Sequence, residues 1–198
     1  MTDYPWYEEV NAAEPLLQGD IIEECPVLVF EAVPVFPPDH TADQVIDALE
    51  DAAGVQPTRA IVMTQACDLA QDHVRQVILC PIYHLPEYRA KWEEAETARG
   101  QNPTEKNWAK HTRDLKDGKV WNLTMLNERP LPEGGGMVLS HQVVDFHEVF
   151  SLPVAFLRAW ILAKAQNRLR VCPPYREQLS QAFARFFMRV GLPIDINL

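Results

Sequence analysis

Two apolar segments near the middle of the chain place the strongest constraint on what it can fold into. Residues 60–63 (Ala-Ile-Val-Met) and 74–82 (Val-Arg-Gln-Val-Ile-Leu-Cys-Pro-Ile) are short and rich in β-branched side chains. Runs of this length and composition are typical of buried strands. A short polar connection, residues 64–73, separates them, which predicts two neighbouring strands in the core of one sheet.

Other segments with strand-forming composition predict further strands of that sheet; they are residues 21–22, 25–30, 33–36, 120–126 and 138–150, the last as one or two strands. Pro26 and Pro34 favour edges or kinks, because proline cannot donate a hydrogen bond to a neighbouring strand. Asp117-Gly118 is a hairpin-type turn signal before residues 120–126. We therefore expect a mostly antiparallel sheet.

Helical patterns flank and interrupt these strands; they cover residues 41–51, 86–116 as two helices separated at 100–103, 152–165 and 175–190. Thr41 stands where an N-cap is favoured, and Gly54 stands where a helix commonly ends. The apolar stripe of the last segment predicts a C-terminal helix packed on the domain. A chain of 198 residues fits one domain, so we expect a single α+β domain over residues 1–198.

The charge of the chain is acidic and unevenly spread. The formal net charge is −10, residues 1–58 contain thirteen Asp and Glu but no Lys or Arg, and residues 158–189 contain seven Lys and Arg. An acidic molecule repels phosphates, which argues against a nucleic-acid partner. A protein or a small ligand is the expected partner, and the sequence does not specify an oligomeric state.

The sequence also predicts a cytoplasmic location without membrane contact. No apolar run reaches the roughly 18 residues of a membrane span, and the first residues lack the pattern of a signal peptide. The four cysteines (Cys25, Cys67, Cys80 and Cys172) are then expected to be reduced. Cys25, Cys67 and Cys80 could converge on zinc from neighbouring strands. Because no cysteines form a close sequence pair and no phosphate-loop pattern occurs, neither a metal nor another cofactor is predicted.

The strongest candidate for chemistry is the segment that follows the first buried strand. Thr64, Gln65, Cys67 and Asp68 place a hydroxyl, an amide, a thiol and a carboxylate within five residues. Polar groups at the end of a buried strand often line a pocket. Cys67 could be a nucleophile with Asp68 or a histidine as base or orienting group. The structural alternative is an inert thiol, with Asp68 capping a turn.

Three arginines near the C-terminus form a second candidate site. Arg168, Arg170 and Arg176 surround a Cys-Pro-Pro-Tyr segment, and the planar guanidinium suits phosphate or carboxylate ligands. The alternative, which we favour, is that they form salt bridges to the acidic N-terminal third.

Several of these segments resemble a group of uncharacterised bacterial proteins that share a Thr/Ser-Gln-x-Cys-Asp signature. The matching parts are residues 18–22, 60–69, 77–82, 168–177 and 189–193, which touch most of the chain. This resemblance implies a shared fold but no biochemical activity.

A weaker resemblance is to the PemK/MazF toxin family, over residues 18–83 and 120–150. Those proteins are small SH3-like barrels, many of which cut RNA with an arginine that opens one strand. The resemblance implies an SH3-like antiparallel β-barrel or bent sheet at about 18–83 and 119–150. The helical patterns add an insertion at 86–116 and a C-terminal helical part at 152–190. The resemblance makes Arg59 a candidate catalytic residue, whereas Tyr83 replaces the Ser or Thr of the second catalytic position.

Three functions therefore stay open from the sequence. The first is a binding or regulatory module of a bacterial defence or toxin–antitoxin system, with a pocket at residues 64–68. The second is a cysteine-dependent enzyme that uses Cys67. The third is a ribonuclease that uses Arg59.

Overall fold

A computed structural model describes residues 4–30, 36 and 38–188, and these residues form eight strands and six helices. The elements in chain order are β1 Tyr7–Val10, β2 Ile21–Phe30, α1 Ala42–Ala52, β3 Ala53–Val62, α2 Ala66–Ala70, β4 Gln76–His84, α3 Leu85–Ala98, α4 Glu105–Lys116, β5 Leu123–Leu126, β6 Gln142–Asp145, β7 Phe150–Pro153, α5 Val154–Ala163, β8 Arg168–Val171 and α6 Tyr175–Phe187.

An antiparallel six-stranded sheet forms the centre of the fold. Its strand order is β2-β3-β4-β6-β5, and β7 also pairs with β4. β6 and β7 take successive parts of β4, since β6 pairs with its residues 82–84 and β7 with its residues 76–79. The two apolar segments lie in β3 and β4, which pair directly, as the sequence predicts.

The sheet is covered on both faces because side chains alternate along each strand. Ile61 of β3 packs with residues of β1, β8 and α6, whereas Ala60 and Val62 pack with residues of α5. A third apolar cluster joins Tyr88 and Trp92 of α3 to strands β5 and β6. The helical insertion therefore has its own apolar contact with one end of the sheet.

The expected α+β class with antiparallel strands is confirmed, but the sheets are not closed into a barrel. β2 and β5 lie at opposite ends of the strand order, and no ladder pairs them within the described part of the chain. β1 and β8 form a separate two-stranded sheet instead of completing the larger one. The SH3-like assignment stays a prediction.

The helices largely follow their sequence patterns. Thr41 caps α1, and its side-chain oxygen accepts a hydrogen bond from the backbone N–H of Gln44. The insertion contains the two expected helices, α3 and α4. Gly54 does not end α1, because the helix stops at Ala52 and Gly54 already belongs to β3. Among the described residues, no helix is both long enough and apolar enough to span a membrane.

The remaining strand predictions differ from the structure in their bounds or lie outside the described residues. Segment 138–150, expected as one or two strands, contains β6 and ends where β7 begins at Phe150. Segment 120–126 is shorter than expected, since β5 begins at Leu123. The expected strand at 33–36 lies outside the described residues except for Phe36, and so do residues 189–190 of the C-terminal helical segment.

Gly19 connects the two sheets through its backbone. Its N–H donates to the carbonyl of Val62 in β3, at 2.9 Å, and its carbonyl accepts from the N–H of Val171 in β8, at 3.0 Å. Its φ of +86° lies in the region that favours glycine, and a Cβ there would lie 3.2 Å from the Val171 carbonyl oxygen. Both conditions explain the Gln-Gly-Asp turn at this point.

A buried ion network lies beside this turn. Asp20 is completely buried and accepts hydrogen bonds from Arg168 Nε at 2.7 Å and from Arg170 Nε at 2.5 Å. Arg168 also donates to the carbonyl oxygens of Asn11, Glu14 and Pro15. The network thus joins the N-terminal segment, the start of β2 and strand β8.

Replacement of Asp20 tests how much this network contributes to the free energy of unfolding. Asp20→Asn keeps the shape but leaves two buried guanidinium groups without their shared counter-charge. We expect it to lower the free energy of unfolding by about 3–5 kcal/mol. Urea unfolding followed by circular dichroism measures the change, with exposed Asp39→Asn as the matched control. A loss below about 1 kcal/mol, ordinary for a surface substitution, would contradict this role.

Candidate functional site

The segment at residues 64–68 folds into a capped turn and a short helix. Thr64 is buried, and its hydroxyl oxygen accepts a hydrogen bond of 2.7 Å from the backbone N–H of Ile78 in β4. Gln65 precedes α2 and is exposed. Thr64 therefore fixes the turn between β3 and β4, and its hydroxyl is already engaged by the backbone.

Cys67 is exposed, and two oxygen acceptors lie near its thiol. Its sulfur lies 3.7 Å from Gln65 Oε1 and 3.8 Å from Asp68 Oδ1. Cations or hydrogen-bond donors, which stabilise a thiolate, are not among these two contacts. Within the described residues, no hydrogen bond joins Cys67 to a histidine. The structure therefore brings Asp68, but no histidine, to the thiol as a candidate base.

Two other cysteines are held in the core. Burial raises the pKa of Cys25 and of Cys80 to about 12, and the nearby Asp145 carboxylate adds to the effect on Cys80. In the part of the chain that the structure describes, no three His, Cys, Asp or Glu side chains come together as metal ligands.

Arg59 lies on β3 and is engaged by a carboxylate. Its Nε lies 2.6 Å from Glu23 Oε1 and 2.8 Å from Oε2. The open cavity beside it, of about 370 Å³, is also lined by Glu24 and Glu87. This acidic setting does not suit a phosphate ligand.

The C-terminal arginines serve different contacts. Arg168 and Arg170 pair with Asp20, which agrees with the salt bridges to the N-terminal third that we favoured. Arg176 differs from that expectation, because it pairs with its neighbour Glu177 at 2.8 Å. The three guanidinium groups therefore do not converge on a common ligand position.

A serine and a histidine also meet, although no sequence pattern pairs them. Ser140 Oγ lies 2.7 Å from His84 Nδ1, and Gln142 Nε2 lies 2.7 Å from the same nitrogen. Because the buried Gln142 amide already occupies this nitrogen, His84 is poorly placed to remove the serine proton.

The cavity with the most convergent chemistry lies between the helical insertion and the sheet. Its volume is about 380 Å³, within the range of small-ligand sites. Tyr88 and Trp92 of α3 and Tyr83 of β4 provide aromatic surface, and Asp145 at the end of β6 provides a carboxylate. The remaining lining comes from Lys91, Ala95, Glu96, Arg99, His111, Val120, Asn122 and Leu123. We call this space the Asp145 cavity.

Asp145 is the unusual group in this cavity. Its Oδ1 accepts a hydrogen bond of 2.9 Å from the backbone N–H of His147, and the His147 ring nitrogen Nδ1 is 3.9 Å away. Within the described residues, Oδ2 has no hydrogen-bond or ion-pair partner. Desolvation raises the pKa of Asp145, and the Glu148 carboxylate adds to this effect, whereas the His147 backbone hydrogen bond and the charges of His147 and Lys91 oppose it. Its Oδ2 atom is thus open to a further donor.

The other charges of the cavity are already paired. Lys91 Nζ lies 3.6 Å from Glu148 Oε1, and Arg99 Nη1 lies 3.1 Å from Glu96 Oε1. Burial lowers the pKa of His111, whose Nε2 lies 2.7 Å from the Tyr88 hydroxyl oxygen. Among the described lining residues, Asp145 is the charged side chain whose ion-pair contact is longest, at 3.9 Å from the His147 ring.

Sequence reasoning did not find this site as a cavity. Tyr88 and Trp92 are four residues apart in the helical pattern of the insertion, which places them on one helix face. The sequence signal for the site was an aspartate, Asp145, placed directly after two buried valines at the end of a strand. The sequence does not reveal that the insertion folds back over that strand end.

Neither a family model, a curated protein nor a solved structure matches this chain. The interpretation of the site therefore rests on its own residues.

Alkylation of the folded protein tests the placement of the cysteines. We expect iodoacetamide to modify exposed Cys67 first, whereas Cys25 and Cys80 react only after denaturation, because they are buried with pKa values of about 12. Peptide mass spectrometry measures each site over time, and the urea-unfolded protein is the control. Equal rates for Cys80 and Cys67 in the folded protein would contradict the placement.

Proposed function

We propose that this protein is a binding module that takes up a small protonated amine in the Asp145 cavity. The observation that carries the proposal is the partly buried Asp145 carboxylate inside an aromatic-walled cavity, with its Oδ2 atom free of any described hydrogen-bond donor. A bound ammonium group would donate to the free Oδ2 atom and add a positive charge beside it. This keeps a binding module as the function and moves its pocket away from residues 64–68.

The paired charges favour a cation over an anion. A carboxylate or phosphate ligand would have to displace Glu148 from Lys91, or Glu96 from Arg99, and would also face Asp145. An amine needs no such exchange. With His111 held neutral by burial, the remaining charge of the cavity is negative at neutral pH.

The aromatic walls favour an organic cation over a metal ion. Calcium and magnesium require several oxygen ligands, and Asp145 is a single carboxylate. Ammonium groups, by contrast, are attracted to the faces of Tyr and Trp rings. The chain contains an example of this contact, because Lys91 Nζ lies 3.8 Å from the centre of the Tyr83 ring.

A matched set of probes tests the proposed ligand class. We expect phenethylammonium to bind, and its neutral analogue 2-phenylethanol and the anion phenylacetate to bind much more weakly. Asp145→Asn should weaken amine binding roughly tenfold to a hundredfold, the value of a hydrogen bond to a charged group. Calorimetry measures affinity, and amide NMR shifts locate the bound probe.

Exposed Glu133→Gln is the control, since it removes one carboxylate away from the cavity lining. Equal binding of the alcohol and the amine, or an unchanged affinity in Asp145→Asn, would contradict the proposal. Tighter binding of phenylacetate would instead indicate that Lys91 or Arg99 binds the ligand.

The affinity should also depend on pH with a definite sign. The amine binds the ionised form of Asp145, so affinity is present above the raised pKa of that group and is lost as pH falls through it. The midpoint should lie above the ordinary aspartate value of about 3.9. The titratable or charged groups that face this region are Tyr83, Tyr88, Lys91, Glu96, Arg99, His111, His147 and Glu148.

Titration of phenethylammonium binding between about pH 4 and pH 8, where alkyl amines stay charged, measures this dependence. His147→Asn is the control, because protonation of His147 would also repel an amine. The loss at low pH should persist in His147→Asn and disappear in Asp145→Asn. If the pH dependence of amine affinity is lost in His147→Asn, the histidine and not Asp145 causes it.

A further inference from the structure

A second surface, formed by different residues, lies on an arm that we define as residues 27–30 of β2, helix α1 and residues 53–56 of β3. Helix α1 buries none of its residues. Ile46 and Leu49, one turn apart, are 53% and 46% exposed. An isolated helix of eleven residues is marginal in water, and helices usually gain stability by packing an apolar face. Ile46 and Leu49 of α1 are instead left open.

The strands of the arm carry exposed apolar residues of their own. Leu28 lies directly opposite Val55 in the β2–β3 ladder, and the two are 59% and 68% exposed. Directly opposed residues project from the same face of a sheet, so these side chains form one patch. Phe30, two residues along β2, is also exposed and extends the patch. Contiguous exposed apolar surface of this kind marks interaction sites.

The acidic residues of the arm differ in their ion pairing from the two acidic residues near the start of β2, where the arm joins the sheet. At the base, Glu23 pairs with Arg59 and Glu24 pairs with Lys164. The five acidic residues nearest the tip make no ion pair with any described residue; they are Asp39, Asp43, Asp47, Glu50 and Asp51. The arm therefore combines exposed apolar side chains with uncompensated negative charge.

We propose that the arm docks a basic amphipathic helix of another protein. Such a helix offers an apolar stripe for Ile46 and Leu49 and a cationic flank for the carboxylates of α1. A second copy of this chain is disfavoured as the occupant, because two acidic arms would repel each other. The same repulsion disfavours nucleic acids and anionic lipid surfaces.

A defined peptide tests this interaction, so the natural partner need not be identified first. The probe is a fluorescent, amphipathic helix of leucine and lysine, and fluorescence anisotropy measures its affinity. Ile46→Ser/Leu49→Ser removes apolar surface and leaves the net charge unchanged. We expect this variant to weaken peptide binding at least about tenfold, as hot-spot truncations do. Circular dichroism checks that each variant is folded.

A charge-matched pair of variants separates local docking from general attraction. Asp43→Lys/Asp47→Lys and the control Glu94→Lys/Glu133→Lys change the net charge equally, but only the first lies on the arm. We expect a loss of about tenfold in the first and less than about twofold in the control. Equal losses in both would overturn the proposal, as would unchanged binding by Ile46→Ser/Leu49→Ser.

Analytical ultracentrifugation of the wild type examines the second-copy alternative. We expect a monomer, or an oligomer that Ile46→Ser/Leu49→Ser leaves intact. A dimer that this variant abolishes would overturn the proposal in favour of self-association. Loss of peptide binding in the arm variants leaves the amine affinity of the Asp145 cavity untouched, so the two proposals fail separately.

Discussion

The buried ion network of Asp20, Arg168 and Arg170 is the interaction on which the remaining architecture depends. Burying one carboxylate between two guanidinium groups is costly unless nearly every donor and acceptor is satisfied. Here the carbonyls of Asn11, Glu14 and Pro15 take the remaining arginine donors. The same turn contains Gly19, whose backbone links β3 to β8. The position of the small sheet, and of α6 that packs against it, therefore follows from a few residues around this turn.

The Asp145 cavity depends on a different part of the sequence. Tyr88 and Trp92 belong to the apolar cluster that fastens the helical insertion to the sheet, so the residues that stabilise the insertion also form the walls of the cavity. The carboxyl group of Asp145 is left at the end of β6, where burial disfavours its charge. The same aromatic side chains therefore stabilise the insertion and would contact the ligand in the proposed function.

The sequence was most informative where a pattern is local. The apolar runs at residues 60–63 and 74–82, the N-cap at Thr41 and the two helices of the insertion follow from short-range periodicity and capping. The open sheet, the division of segment 138–150 between β6 and β7, and the separate β1–β8 pair depend on long-range pairing, which periodicity does not encode. The site illustrates the same limit. Thr64 and Cys67 were predicted as site residues because they lie close together in the sequence. Tyr83, Trp92 and Asp145 are instead brought together by the tertiary fold.

The sequence separation of Asp20 and Arg168, 148 residues, also has a consequence for the order in which the chain is completed. At ribosomal rates of about 5–20 residues per second, Asp20 emerges roughly seven to thirty seconds before its arginine partners. During that interval residues 1–58 form a nascent segment with thirteen Asp and Glu and no Lys or Arg. Strand β1 also lacks its partner until β8 is synthesised, because the two form a sheet of their own. The first strand of the protein thus waits for the last strand before its backbone hydrogen bonds can form.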